Sequence, residues 1–237
     1  MICRRLTCLA ILVLLSVTVA TPKASALGID DSKVFVLEAP QNTVYFVYSS
    51  IQQDNKPLGV AKANAIDWTA TGYIKGMTRN SQLEGLDTED NLVDQTTGAP
   101  MFSDRAAVLS GGPVVQVLVK YYETQRISPV YFESTDGKCY WVRSNGDRIE
   151  DTGLVPSTHN DMFLVEHFID TKGNSVLVIY GYTGLGSFAG ARFFKTVMYT
   201  SIRSYTHSYY IFHWVDANND SFPDINEIDT TPVAYGD

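Results

Sequence analysis

The chain reads as an α/β protein: a mixed, partly parallel sheet with flanking helices and attached antiparallel hairpins, ending in an acidic loop. Two patterns predict this. A strand, a glycine turn and a helix follow one another twice, at 106–123 and again from Ser175, and such units lay parallel strands side by side under helices. The runs 176–180 and 209–215 are almost continuously apolar, as strands covered on both faces are.

At the start, Arg4 and Arg5 precede an apolar run from Leu9 to Ala20 and the small triplet Ala24-Ser25-Ala26. The run is too short to cross a bilayer comfortably and the triplet suits a signal peptidase, so 1–26 is expected to be a secretory leader. Residues 27–237 are then expected to form one extracellular or cell-surface domain with no transmembrane anchor, its α/β core at 101–230 preceded by strands and a polar segment at 27–100. Losing the leader removes Arg4, Arg5 and Lys23 and no acid, so the formal net charge moves from −8 to −11. That balance disfavours nucleic acid and anionic membrane surfaces as partners. Cys3 and Cys8 leave with the leader and Cys139 stays alone, so no intramolecular disulfide is expected.

Within 27–70, the runs 34–37 and 44–48 read as edge strands, the first stopped by Pro40 and the second by the polar turn 52–57. The segment 71–100 is polar and acidic, and reads as surface with one short helix at 87–94. The strand 106–109 ends in Ser110-Gly111-Gly112-Pro113; Pro113 suits a first helical position, and the apolar spacing of Val114, Val117, Leu118, Tyr121 and Tyr122 carries a helix through Glu123. Asp136-Gly137 joins strands 130–133 and 139–143 as a hairpin, and the turn 170–174 joins 162–169 to 175–180. The last of these runs into Gly181-Tyr182-Thr183-Gly184-Leu185-Gly186-Ser187, where a long helix starts that is expected to reach Ile202.

The strand at 209–215 empties into residues 216–227. There Asp216, Asn218, Asp220, Asp224 and Glu227 occupy positions 1, 3, 5, 9 and 12 of the loop that wraps a hard, oxygen-loving cation, and the carbonyl of Phe222 falls at position 7. Calcium is the expected cofactor. Position 6, normally Gly, is Ser221, which would cost roughly 1–2 kcal/mol if it turns left-handed. Pro223 lacks the N–H that paired loops share and no amphipathic helix flanks the segment, so a single loop on an α/β body is expected. The only sequon, Asn219-Asp220-Ser221, overlaps it.

Taken in order, Leu109-Ser110-Gly111-Gly112-Pro113-Val114-Val115 with its helix, then 165–168 with 176–191, then 210–227, resemble the α/β region of archaeal S-layer and related surface proteins, as in Thermococcales. The resemblance spans roughly 100–230. Gln116 stands where an Asn is expected after Gly-Gly-Pro, and Ser221 replaces the loop glycine. It implies a secreted structural or binding protein whose partners are other surface proteins or further copies of itself.

The other reading is a secreted enzyme with an unrecognised site, hydrolase-like or nucleotide-binding, at the glycine turns. Gly184-Leu185-Gly186-Ser187-Phe188-Ala189 opens a helix after a strand as a dinucleotide turn does, but the acid expected at the end of the next strand is Asp216, already claimed by the loop. Ser110 and Ser187 lack a nucleophile elbow, no base is assignable among His159, His167, His207 and His213, and no catalytic residue is assigned. His167 and His213 sit in apolar strands and read as satisfied core or edge residues. The two readings differ at the glycine turns: an enzyme needs a cleft there, whereas a structural module packs them shut.

Overall fold

The computed structural model describes residues 24–38, 43–50, 65–79 and 82–237. Its elements in chain order are β1 (Ser25–Ala26), β2 (Val44–Tyr48), α1 (Ala65–Lys75), β3 (Gln82–Leu86), β4 (Ala106–Ser110), α2 (Val117–Thr124), β5 (Val130–Thr135), β6 (Lys138–Arg143), β7 (Asn160–Ile169), β8 (Ser175–Gly181), α3 (Gly184–Phe193), β9 (Tyr209–Val215) and β10 (Ala234–Gly236). The main sheet runs β10-β9-β7-β8-β4-β2-β3, with β1 set against β7, and β5 and β6 form a separate hairpin. The strands β3, β2, β4 and β8 are parallel; β7, β9 and β10 continue the sheet antiparallel. The fold is therefore the mixed, partly parallel α/β sheet that the sequence predicts.

Alternation along the central strands sorts two cores. Ala106, Val108, Leu177 and Ile179 pack with Ala70 and Ile74 of α1 and Ala189 of α3. On the other face Ala107, Leu109, Val176 and Val178 pack with Leu118 and Tyr122 of α2 and Trp141 of the hairpin. Both faces of β4 and β8 are thus covered, which is why neither strand shows a polar stripe.

The structure differs from the sequence reading at several elements. Residues 33–37 form a helical turn, not a strand; Val36 and Leu37 bury while Val34 and Phe35 stay exposed, a helical rather than a two-residue alternation. β2 is internal, with β3 and β4 on either side. In place of a surface segment with a helix at 87–94, α1 and β3 make a crossover onto the sheet, and 87–94 is turns with a bridge from Val93 to Pro100. α2 starts at Val117, after Pro113, because buried Gln116 caps it, accepting from Leu118 N at 3.2 Å. The long helix changes winding after Phe193 and kinks at Ser201. The strand β9 lies beyond β7 and antiparallel, so the second unit is not followed by a parallel strand. Residues 1–23 of the expected leader, Pro40 and the turn at 52–57 lie outside the described residues. Among the described residues no helix is long and apolar enough to cross a membrane.

The α2 side of the sheet carries two buried carboxyls. Glu123 of α2 accepts Phe132 N at 3.1 Å and the hydroxyl of Tyr180, and Glu166 of β7 accepts Val130 N at 3.3 Å, so both hold β5 to the sheet. Burial pushes Glu123 up to about 8, against the pull of Tyr180, Phe132 and Arg126. Burial and the charge of Glu123 raise Glu166 well above the carboxylate range. A carboxyl raised on folding stabilises fully below its ordinary value and loses that contribution as pH rises through its folded value. The urea midpoint is therefore expected to fall as pH rises from about 5 to 8, and Glu123→Gln to make that fall shallower; an unchanged slope in the variant refutes the assignment.

Candidate functional site

Each of the six expected ligands lies in the segment between β9 and β10, and the side chains are tied to the loop's own backbone. Asp216 accepts Asp220 N at 3.2 Å through Oδ1 and Ser221 N at 2.8 Å through Oδ2. Asn218 Oδ1 accepts Asp220 N at 2.9 Å, and Asp220 Oδ1 accepts Phe222 N at 2.8 Å. Glu227 reaches back across the loop, taking Ala217 N at 3.0 Å and Asn218 N at 3.3 Å on Oε1 and Asp224 N at 3.2 Å on Oε2. Asp224 caps the final turn in a reciprocal box with Glu227. Asn219 and Ser221 are both left-handed, with φ of 59° and 58°, so Ser221 makes the turn expected of a glycine. Among the described residues no three His, Cys, Asp or Glu side chains are gathered as a metal gathers them. By chemistry the donor set fits a hard cation: carboxylates, one amide oxygen and one main-chain carbonyl, with no thiolate among them.

The loop is fastened to the body at three places. Trp214 Nε1 donates to Glu227 Oε2 at 3.3 Å from inside β9. Arg192 of α3 donates to the Pro223 carbonyl and lies 3.4 Å from Asp224 Oδ1, its guanidinium 5.1 Å from the Phe222 ring centroid, while Phe188 meets Phe222 edge-on at 5.3 Å. His159, just before β7, places Nδ1 2.6 Å from Asp216 Oδ2. Partial burial raises Asp216, but His159 and the amides of Ser221, Asn219 and Asp220 prevail and hold it below the usual range. Glu227 is lowered likewise: burial is outweighed by Asp224 N, Trp214 and the amides of Ala217 and Asn218.

Neither His159 nor Arg192 was legible as part of this site, since 57 and 32 residues separate them from their partners.

The glycine turn before α3 is occupied from within the protein. Asp161 of β7, fully buried, accepts Thr183 Oγ1 at 2.6 Å, Thr183 N at 3.0 Å and Gly186 N at 3.1 Å on Oδ2, and Met162 N at 2.7 Å and Tyr182 N at 3.2 Å on Oδ1. An anion belongs at a helix N-terminus, where unpaired N–H groups and the helix dipole point at it. Here that anion is a side chain. A Cβ on Gly186 would sit 2.5 Å from Asp161 Oδ2, so glycine is needed for this close approach and no phosphate has room beside the carboxylate. Burial still pushes Asp161 up to about 6, against these donors.

The turns are not packed shut. A cleft opens at the carboxyl ends of β4 and β8, walled by Pro113, Val114, Phe132, Tyr180 and Tyr182, with Asp67 of α1 on its lining. Ser187 is committed to backbone, accepting Gly181 N at 3.2 Å and donating to Thr183 O at 3.3 Å. Among the described residues, a serine–histidine pair, His167 Nε2 to Ser175 Oγ at 2.8 Å, is buried, with Nδ1 donating to Gly28 O at 2.9 Å; His167 is a satisfied core histidine, lowered to about 4 by burial. His213 bonds Asn160 Oδ1 at 2.5 Å. No family model, curated protein or solved structure matches this chain.

Removing the Asp161 side chain leaves the buried amide of Gly186 and the part-buried amide of Thr183 without their acceptor, at about 1–3 kcal/mol each. Asp161→Ala is therefore expected to cost about 3 kcal/mol or more by urea denaturation. Gly186→Ala should also destabilise through the clash with the carboxylate. A cost below about 1 kcal/mol for Asp161→Ala would sink this account.

Proposed function

We propose that this is an extracellular or cell-surface structural and binding protein, related to archaeal S-layer proteins, that holds one calcium ion at 216–227 and works by association rather than catalysis. The observation that carries the calcium reading is the loop's own arrangement. Asp216, Asn218 and Asp220 each accept an amide two to five residues on, Ser221 adopts the left-handed turn, and Glu227 folds back over the start of the segment. With calcium bound, Asp216, Asn218, Asp220, Asp224 and Glu227 and the Phe222 carbonyl would hold it, neutralising four carboxylates. The ion's role would be structural. Because Glu227 is bonded to Trp214 of β9, and Arg192 of α3 to Pro223, closing the loop fixes how the chain leaves the sheet toward β10.

The cell-surface part of this reading rests on the leader pattern, the acidic balance and the order of motifs from Leu109 to Glu227. Partners would be other surface proteins or further copies of the chain. The open cleft at the glycine turns is the feature that the enzyme reading asks for. Its nucleotide version is disfavoured because Asp161 fills the seat that a phosphate would take, and the described residues that line the cleft include no histidine or cysteine to act as base or thiol nucleophile.

Thermal melts of the purified protein in millimolar calcium against chelator are expected to show a midpoint that climbs with calcium. Asp216→Ala and Glu227→Ala should each lower calcium affinity by about tenfold or more and expose the C-terminus to protease, leaving the sheet folded. A midpoint indifferent to calcium, or unchanged affinity in both variants, would remove the site. Both carboxylates are lowered on folding, so their contribution is complete above the ordinary carboxylate values and fades only as pH falls below about 4. In chelator, the wild-type midpoint should fall more steeply below that pH than the Asp216→Ala midpoint.

A further inference from the structure

We infer that the cleft at the ends of β4 and β8 is a binding site for an organic cation: an ammonium or guanidinium group on a short alkyl stem. The place is right for a ligand. In open α/β sheets the carboxyl ends of adjacent parallel strands, with their helices leaving, form a crevice, and β4 and β8 are such a pair.

The chemistry follows from what the lining offers. The α3 N-terminus, the natural anion seat beside it, is taken by Asp161. The tyrosine hydroxyls are spent elsewhere, Tyr180 on Glu123 and Tyr182 on Thr152 O at 2.8 Å, so those side chains present ring surface to the cleft. Tyr182 is fixed by stacking on Trp141 with centroids 4.9 Å apart, and Phe132 lies against it at 5.9 Å. The charged group on the lining is Asp67, 4% exposed in the first turn of α1. Its Cγ stands 3.6 Å from where a Cβ on Gly111 would be, so the glycine brings the β4 turn against the carboxylate.

A buried carboxylate beside a wall of aromatic faces favours a cation and repels an anion. The net charge of −8 adds to this. A second, more open hollow lies on the other side of Thr183 and Gly184, lined by Ile66 and Leu185, and offers apolar surface for an alkyl stem.

Amide NMR titrations of the purified protein with n-butylammonium, with a lysine-bearing peptide, and with n-butanol, butyrate and maltose test this directly. Butylammonium is expected to shift Gly112, Thr183, Gly184 and Ser187 and to bind about tenfold or more tightly than butanol, with no binding of butyrate. Asp67→Asn should weaken the amine about tenfold or more, and so should Val114→Arg, which puts a positive charge at an exposed rim position and leaves the core alone. Tighter binding of the peptide than of butylammonium assigns the cation to a partner's basic side chain; the reverse assigns a free amine. Equal binding of butanol or maltose, full affinity in both variants, or absence of shifts with either amine source overturns the inference.

Discussion

A single buried carboxylate organises the centre of this protein. Asp161, the second residue of β7, reaches across to the start of α3 and gathers five donors, four of which belong to Met162, Thr183 and Gly186. Charge-assisted bonds of this kind are strong because the donors are fixed and water is excluded. The contact sets where α3 begins and how closely it approaches β8. It also decides the chemistry around it, since a turn shaped like a phosphate cradle is already filled and the neighbouring cleft is lined by Asp67 and aromatic rings.

The same device recurs around the sheet. Asp87, fully buried after β3, accepts Ser50 N at 2.8 Å beyond β2 and Val117 N at 3.1 Å at the start of α2. Asp170 accepts Lys172 N and Asn174 N within the β7–β8 turn and the Tyr122 hydroxyl of α2 at 2.9 Å. Glu123 and Glu166 tie β5 to the same, α2-bearing side of the sheet. Acidic residues in this chain therefore act as internal acceptors for backbone N–H groups at strand ends and helix starts. In a fold whose described cysteine, Cys139, is free and buried, such ties join elements that a disulfide would otherwise join.

The C-terminal loop and the cleft share one helix. Phe188 and Arg192 of α3 meet the loop through Phe222 and Pro223, and the same helix begins at the turn that borders the cleft. Tyr73 of α1 meets Phe188 edge-on at 5.5 Å, so α1, which carries Asp67, packs on this helix as well. A cation held in the loop would thus brace the helix that forms one wall of the crevice.

What the sequence determined by itself is local. Continuous apolar runs marked β8 and β9, Asp136-Gly137 marked the hairpin of β5 and β6, and the spacing from Asp216 to Glu227 marked a loop with Ser221 at its sharp turn, which the structure makes left-handed. Each depends on neighbours within a dozen residues. The internal position of β2 and the existence of α1 and β3 are not legible in the sequence, because their identity comes from packing on a sheet that the local pattern does not contain. The tertiary structure alone decided what fills the glycine turn, since Asp161 lies 22 residues from Thr183 and nothing around it in the chain signals an acceptor. It likewise decided that Asp67, Gly111 and Tyr182 border one cleft, because side chains so far apart in sequence share a site only after strands from both halves of the chain are laid side by side.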